Sequence, residues 1–390
     1  MKPRALMLSP ELPYPLQGGG ALRTASLLNY LAQHHAVDLI LFRHLDSQRP
    51  LDSLPAGLVD RVLVLELPRH SRTRVSRVVR NTKRLLRGTP PLLNRFEGFG
   101  PRISSFLAGR HYRLGVVAPY VAVIAPYVEA TVMDLHNVES VLHQTQAFAA
   151  DSFMERLAHR QFAGLYRHLE AQWLPRYTAV LTASAQDAQR IAAHARATVI
   201  YPNSVPWQLA PVVAEEEVIA FSGNFDYHPN QTAVAWFAKH VWPTLAARHP
   251  TLRWRLIGMN PDSVRCLVGH LPRVEFTGPV QDAVQELARA RAVVVPLLSG
   301  SGTRLKIVEA WAAARPVLST PLGAEGLCSD NLLIAAPSEF LEALQKLLVS
   351  PVLRETLGAK GRACYEEELT WGAAWSKLAG SCLTPDFEKI

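Results

Sequence analysis

Cysteine is scarce in this chain of 390 residues: Cys266, Cys328, Cys364 and Cys382 show no CxxC spacing and no histidine cluster beside them. Neither a zinc site nor a disulfide framework is indicated. Charge is sparse too, at 19% of residues against a globular norm of about 25%. With 48% apolar residues, that balance excludes intrinsic disorder and coiled coil. Long apolar runs are missing. The uncharged mid-chain stretch Leu114–Val128 is too short to span a bilayer and is broken by Pro119 and Pro126. The opening residues MKPRALMLSPELPYP lack the apolar core of a secretory signal, so a cytoplasmic protein is expected. Finally, no acid interrupts the stretch from Arg69 to Arg87. It carries eight cations, equal to the whole formal excess of +8, so the rest of the chain is near neutral. The charge is a local patch without aromatics, which argues against nucleic acid as a partner.

The length suggests two domains. Short apolar runs alternate with amphipathic ones throughout. Strands are expected at Ala5–Leu8, Val37–Phe42, Val62–Leu65, Leu114–Ala118, Thr131–Asp134, Ala179–Thr182 and Thr198–Tyr201, with helices such as Ala21–His34, Met154–Trp173 and Ala185–His194 between them. A linker rich in Pro, Asn and Ser follows at Tyr201–Pro211. The alternation then restarts with strands at Val218–Ser222, Trp254–Ile257, Val274–Phe276, Ala292–Val295, Val317–Ser319 and Leu332–Ala335. Helices are expected at Asn230–Arg248, Val280–Ala290, Leu305–Ala314, Ser338–Val349 and Pro351–Glu367. This pattern predicts an α/β protein with two doubly wound parallel sheets, residues 1–205 and 206–370, whose ligands sit at the C-terminal ends of the strands.

The most informative segment is SGSGTRLKIVEAWAAARPVLST, residues 299–320. A strand runs into Ser299-Gly300-Ser301-Gly302-Thr303, and that loop opens a helix with the apolar stripe Leu305, Val308, Ala312. Small residues admit a ligand close to the backbone, and amides at a helix start attract anions. Arg304 and Lys306 add two cations suited to a diphosphate. Glu309, one turn further on the face of Lys306, could accept hydrogen bonds from two vicinal hydroxyls such as those of a ribose. A solvated face with an ordinary ion pair is the plainer reading of a lone Lys–Glu pair. Loop, Arg, Lys and Glu together favour a nucleotide-diphosphate site.

These residues resemble the donor-site signature of glycosyltransferase family 4, in the branch reading GSGTRxKxxEA. The matches are Gly300-Ser301-Gly302-Thr303-Arg304-Leu305-Lys306, Glu309-Ala310, Pro316-Val317 and Gly323-Ala324-Glu325-Gly326-Leu327. Phe221-Ser222-Gly223-Asn224 with His228-Pro229-Asn230, Tyr201-Pro202-Asn203-Ser204, Asp134-Leu135-His136-Asn137-Val138-Glu139, and Gly18-Gly19-Gly20 with Arg23 resemble other parts of the same branch. Residues 67–113 match nothing in it.

The resemblance implies the GT-B fold, with two Rossmann-like domains facing a cleft and a tail, residues 371–390, packed back on the first. It implies transfer, with retention, of a sugar from a nucleotide-diphosphate donor to a glycan, lipid-linked or small-molecule acceptor. Arg304 and Lys306 would hold the diphosphate and stabilise the leaving group, and Glu309 would bind the ribose. Gly19 and Gly20 would bring amides to the donor phosphate, and His136 would sit beside the donor sugar. Gly223, Asn224, Gly302 and Thr303 complete the implied donor site, with Glu325 either on the donor sugar or capping the turn around Gly323 and Gly326. One departure stands out: the family's Glu-x7-Glu pair is here Ser301 and Glu309, which loosens the expected contact to the sugar. Asp-x-Asp is also absent, so the basic side chains would replace a metal, with no cofactor beyond the donor itself.

Other features carry two readings each. Gly18 to Gly20 fails GxGxxG because Arg23 takes the third position, although Asp38 lies near the ribose-binding spacing of a dinucleotide site. Glu139 reads as part of the histidine motif or as a first-turn acid of the next helix, and Pro229-Asn230 as an N-cap or, secondarily, a ligand contact. The segment 69–87 fits an interfacial helix on anionic lipid at the inner face of the membrane, or a solvated helix beside the acceptor. Rival functions are a nucleotide-sugar epimerase, a nicotinamide-dependent dehydrogenase and a non-catalytic sugar-binding protein.

Overall fold

A computed structural model describes residues 2–384 apart from 45–50, 69–73, 89–92, 94, 151 and 301–303. The contacts divide the chain into two compact units. The first comprises the residues up to Leu16, Gly20–Tyr201 and those from Trp375 onward; the second comprises Gln17–Gly19 and Pro202–Ala374.

The first unit holds a sheet of seven parallel strands: β1 (Arg4–Ser9), β2 (Ala36–His44), β3 (Arg61–Leu67), β4 (Tyr112–Val116), β5 (Val128–Leu135), β6 (Ala179–Thr182) and β7 (Thr198–Ile200). Their order is β3-β2-β1-β4-β5-β6-β7. Central strands read as apolar runs because helices cover both faces, and β1 is buried from Ala5 to Ser9. The chain steps outward from β1 in one direction, then returns and steps outward from β4 in the other. The gap between those two strands is the switch point at which such sheets bind ligands. Asp38, in β2, is no ribose ligand. It is 1% exposed and takes bonds from the Tyr112 hydroxyl (2.7 Å), Arg61 (2.8 Å) and Arg110 (3.2 Å), so its oxygens serve a structural network. The Trp375 indole donates to Ser26 Oγ at 3.1 Å.

The second unit repeats the plan with β8 (Glu216–Ser222), β9 (Arg253–Ile257), β10 (Val274–Gly278), β11 (Ala290–Val295), β12 (Val317–Ser319) and β13 (Leu333–Ile334). The order β10-β9-β8-β11-β12-β13 puts the switch point between β8 and β11. Phe237 packs on Trp254 with ring centroids 4.6 Å apart, and Trp242 closes the cluster, its indole donating to the Pro272 carbonyl. Arg253 and Arg255 bind Glu216 and Glu275 at the N-terminal ends of the strands, leaving the C-terminal ends to the loops that carry Gly223, Gly258 and Gly300.

Each expected strand has an observed counterpart. Four expected helices differ, two of them only at their ends: Ala185–His194 stops at Ile191, and Pro351–Glu367 is α-helical to Cys364 and π-helical from Tyr365. Asn230–Arg248 is two helices, His228–His240 and Trp242–Arg248, because Pro243 has no N–H to continue the ladder. Val280–Ala290 shortens to Ala283–Leu287, started by the Asp282 carboxylate accepting from Val284 N, and Ala290 already begins β11.

Candidate functional site

In the second unit the site is built where β8 and β11 end. After β8 the chain reaches Gly223, whose amide donates to Ile257 O at 2.9 Å. Gly258, at φ +132° after β9, presses so close that a Cβ there would overlap the Gly223 carbonyl. A Cβ on Gly223 would in turn lie 2.7 Å from Asn230 Nδ2 and 3.2 Å from Lys306 Nζ. Two glycines therefore clear the space into which the cation reaches.

After β11 the chain passes Gly300, at φ +126°, and resumes at Arg304, the N-cap of the helix Leu305–Ala312. Gly302 and Thr303 lie outside the described residues. The Arg304 guanidinium lies across Gly300: a Cβ there would be 3.0 Å from Nη2. Leu305, Ile307, Val308 and Ala310 to Ala312 are all buried, which anchors the helix and leaves Lys306 and Glu309 on its one less buried face. On that face Lys306 Nζ donates to Asn230 Oδ1 at 2.7 Å and sits 3.9 Å from the centre of the Phe221 ring. Burial, with Arg304 alongside, lowers the Lys306 pKa to about 7. Burial raises Glu309 to about 7, against the opposing pull of Lys306.

Asn230 ties these parts together. It is 5% exposed, donates from Nδ2 to the Asn224 carbonyl at 2.7 Å and accepts from Lys306. The N-cap reading fails: Tyr227 is the cap, and Asn230 lies within the first turn of its helix. The Asn224 side chain turns away, accepting from Asp226 N and Asn260 Nδ2. The turn holding Glu325 is closed by Thr320, whose hydroxyl accepts from Gly323 N and whose carbonyl accepts from Ala324 N. Gly19 clusters with this unit, a Cβ on it lying 3.2 Å from Leu305 Cδ1.

His136 and Gly20 belong to the first unit. Gly20 abuts the Glu11 carboxylate, which a Cβ there would have to displace. His136 follows β5, and its Nε2 lies 3.0 Å from Asp134 Oδ2. The other Asp134 oxygen accepts from Arg23, which also donates to the Tyr201 carbonyl at 2.7 Å. Burial alone would raise the Asp134 pKa. The charges of Arg23 and His136, with their hydrogen bonds, outweigh it and hold the carboxylate well below its usual range. The motif around His136 was legible as a motif, but the long-range pairing of Arg23 with Asp134 was not.

Residues 216–350, which contain β8 to β13, match the family model for Glycosyl transferases group 1. None of the curated proteins matches the chain. Among solved structures, the chain is similar to sucrose-phosphate synthase from Thermosynechococcus elongatus, at 18% identity over 97% of both chains with a TM-score of 0.73. It is similar to Anabaena HepE in complex with UDP and glucose, at 16% identity over 97% of this chain and 98% of that one, TM-score 0.64. It also resembles the E. coli trehalose-6-phosphate protein bound with UDP-2-fluoro glucose, at 13% identity over 97% and 99%, TM-score 0.67. The fold is GT-B, with two Rossmann-like domains. The second unit carries a group 1 glycosyltransferase domain, which places the protein among the glycosyltransferases.

Proposed function

We propose that the protein is a retaining, metal-independent transferase of the family 4 type that moves a sugar from a uridine-diphosphate donor to an acceptor hydroxyl. The observation that carries this reading is the placement of Lys306 and Arg304: one held on Asn230 and Phe221, the other across Gly300, both at the start of the helix that follows β11. Two fixed cations at a helix start suit a diphosphate. HepE is described with UDP and glucose, and the E. coli protein with a UDP-sugar, which supports uridine as the base. In the proposed step the bond from the anomeric carbon to the diphosphate oxygen breaks, and its electron pair leaves with UDP. The acceptor oxygen bonds to the same carbon, and its proton passes to the departing phosphate oxygen. Glu309 takes the ribose hydroxyls, and His136, held by Asp134, serves the transfer step.

Calorimetric titration with UDP, and chromatography of UDP released from UDP-glucose in excess chelator, test this reading. Arg304→Ala should lose at least tenfold in UDP affinity and nearly all turnover. Wild-type binding by that variant would overturn the assignment, and strict dependence on added Mg2+ would overturn metal independence. Net conversion of donor alone to an epimeric nucleotide sugar would favour the epimerase reading.

We further propose peripheral contact with an anionic membrane through the segment 69–87. Its described part includes the helix Arg74–Leu86, with Val79 61% and Leu86 84% exposed among the cations. Phe148, Phe153 and Met154 expose a second apolar group where the helices Glu139–Ala149 and Phe153–Trp173 meet. No helix among the described residues is long and apolar enough to cross a membrane. Flotation with phosphatidylglycerol vesicles but not with phosphatidylcholine ones is the expected result, and equal behaviour with both would refute it.

A further inference from the structure

The first unit contains a cavity of about 250 Å3 at the C-terminal edge of its sheet. Its floor is formed by the ends of β1, β4 and β5, through Met7, Leu8, Val116 and Met133, so it occupies the switch point between β1 and β4. That is where an open α/β sheet takes its ligand. Phe42 and Phe96 close one side, and Trp173 and Leu174 another.

We propose that this cavity receives the acceptor, and that the acceptor is a neutral alcohol or phenol on an apolar body, seated with its hydroxyl at the His136 end. The inference rests on the transferase reading above and adds to it the chemical class of the acceptor.

Three observations support it. The walls are alkyl and aromatic, so a polar glycan ring would lose hydration there without replacement partners. Apart from Thr24, the polar groups lie on one stretch of chain and the helix facing it, namely Asp134, His136, Asn137 and Glu139 with Tyr166 and Glu170 opposite. Asp134 is committed to Arg23, and Glu170 accepts from Ser140 N (3.0 Å) and Ser140 Oγ (2.6 Å). Lastly, none of the described lining residues is Lys or Arg, while carboxyls line one end. A phosphorylated acceptor would meet the carboxyls of Glu139 and Glu170, with Arg23 and His136 already paired to Asp134, whereas a neutral hydroxyl can both donate to and accept from such an end. The volume falls just under the range of about 300–1,000 Å3 for drug-sized ligands, so the cavity suits one short apolar moiety.

The test is calorimetry with 4-ethyl-, 4-propyl- and 4-butylphenol, with UDP titrated into the same preparations. Affinity should rise about fourfold per added methylene, as expected for transfer of each one out of water. Met133→Trp, which fills the cavity, should weaken 4-butylphenol at least tenfold. Trp173→Ala, which enlarges it, should shift the preferred chain to 4-hexylphenol, so the inference stays testable should either variant fail to fold. Glucose 6-phosphate should not displace 4-butylphenol. A flat alkyl series, unchanged affinity in both folded variants, or displacement by glucose 6-phosphate would overturn the inference. UDP binding without alkylphenol binding would refute the acceptor class alone, while loss of UDP binding in the wild type would refute the transferase reading on which it stands.

Discussion

Arg23 places both Nε, at 2.8 Å, and Nη2, at 2.6 Å, on a single oxygen of Asp134, and so leaves the other oxygen to His136 at 3.0 Å. The two side chains are 111 positions apart in sequence and nearly excluded from solvent, at 1% and 8% exposure. A helix residue thereby fixes a carboxylate at the end of β5, and the carboxylate fixes a histidine that lines the cavity.

Breaking this pair from one side should be costly. Arg23→Met leaves a buried carboxylate with its main counter-charge gone, and a loss of about 3–5 kcal/mol in urea unfolding is expected. The double variant with Asp134→Leu should lose less than the sum of the single changes, because no charge is then stranded. Additive losses would show that Arg23 does not act through Asp134.

Glu139 should make the protein less stable as pH rises. Burial, with Glu170 beside it, lifts its pKa from 4.5 to about 7. Between those values the folded chain holds more protons than the unfolded one, so stability falls with increasing pH across that window and the penalty is complete above it. Glu139→Gln should remove this slope and gain up to about 3 kcal/mol at pH 8, at about 1.36 kcal/mol per unit. Denaturant midpoints at pH 5 and pH 8 measure it, and an unchanged difference between them would show that Glu139 stays solvated.

The strand alternation and the loop-to-helix turn at 299–309 could be read from the sequence because both are local: apolar runs of strand length and small residues before two cations. The break at Pro243 was equally local, yet the helical pattern that continues from Asn230 to Arg248 hid it. Asn230 could not be read as a bridge to Lys306, since 76 positions separate them and only the meeting of β8 with β11 brings them together. Arg23 and Asp134 are of the same kind. Asp38 misled for the converse reason: its spacing from the glycines is right, but Arg61 and Tyr112 occupy it.

UDP binding should take up protons above neutral pH. Lys306 titrates near 7 in the folded chain against 10.5 for a free lysine, so at pH 8 much of it is neutral. A diphosphate beside it favours the charged form and draws in a proton. Calorimetry at pH 8 in two buffers of different ionisation enthalpy should show net uptake, absent in Lys306→Met, and UDP affinity should decline as pH rises from 7 to 9. The same shift makes the ligand-free protein gain stability with pH from about 7 to 10.5, where the unfolded chain holds the extra proton. Equal heats in the two buffers would mean that Lys306 is charged before the nucleotide arrives.

Asn230 should tune that cation. Its carbonyl oxygen accepts from Lys306 and its amide group holds the Asn224 carbonyl, so Asn230→Ala removes both bonds from a buried position. Losing a hydrogen bond to a charged group costs about 1.5–3 kcal/mol, and the ammonium, left with less support, should titrate lower still. Asn230→Asp keeps an oxygen at the same place and adds an opposite charge, so it should raise the Lys306 pKa and weaken UDP through repulsion of the diphosphate. NMR titration of the Lys306 side chain in the three proteins gives the order Ala below Asn below Asp. A structural role for Asn230 confined to the Asn224 loop would leave the three titrations superimposed, with only the melting temperatures apart.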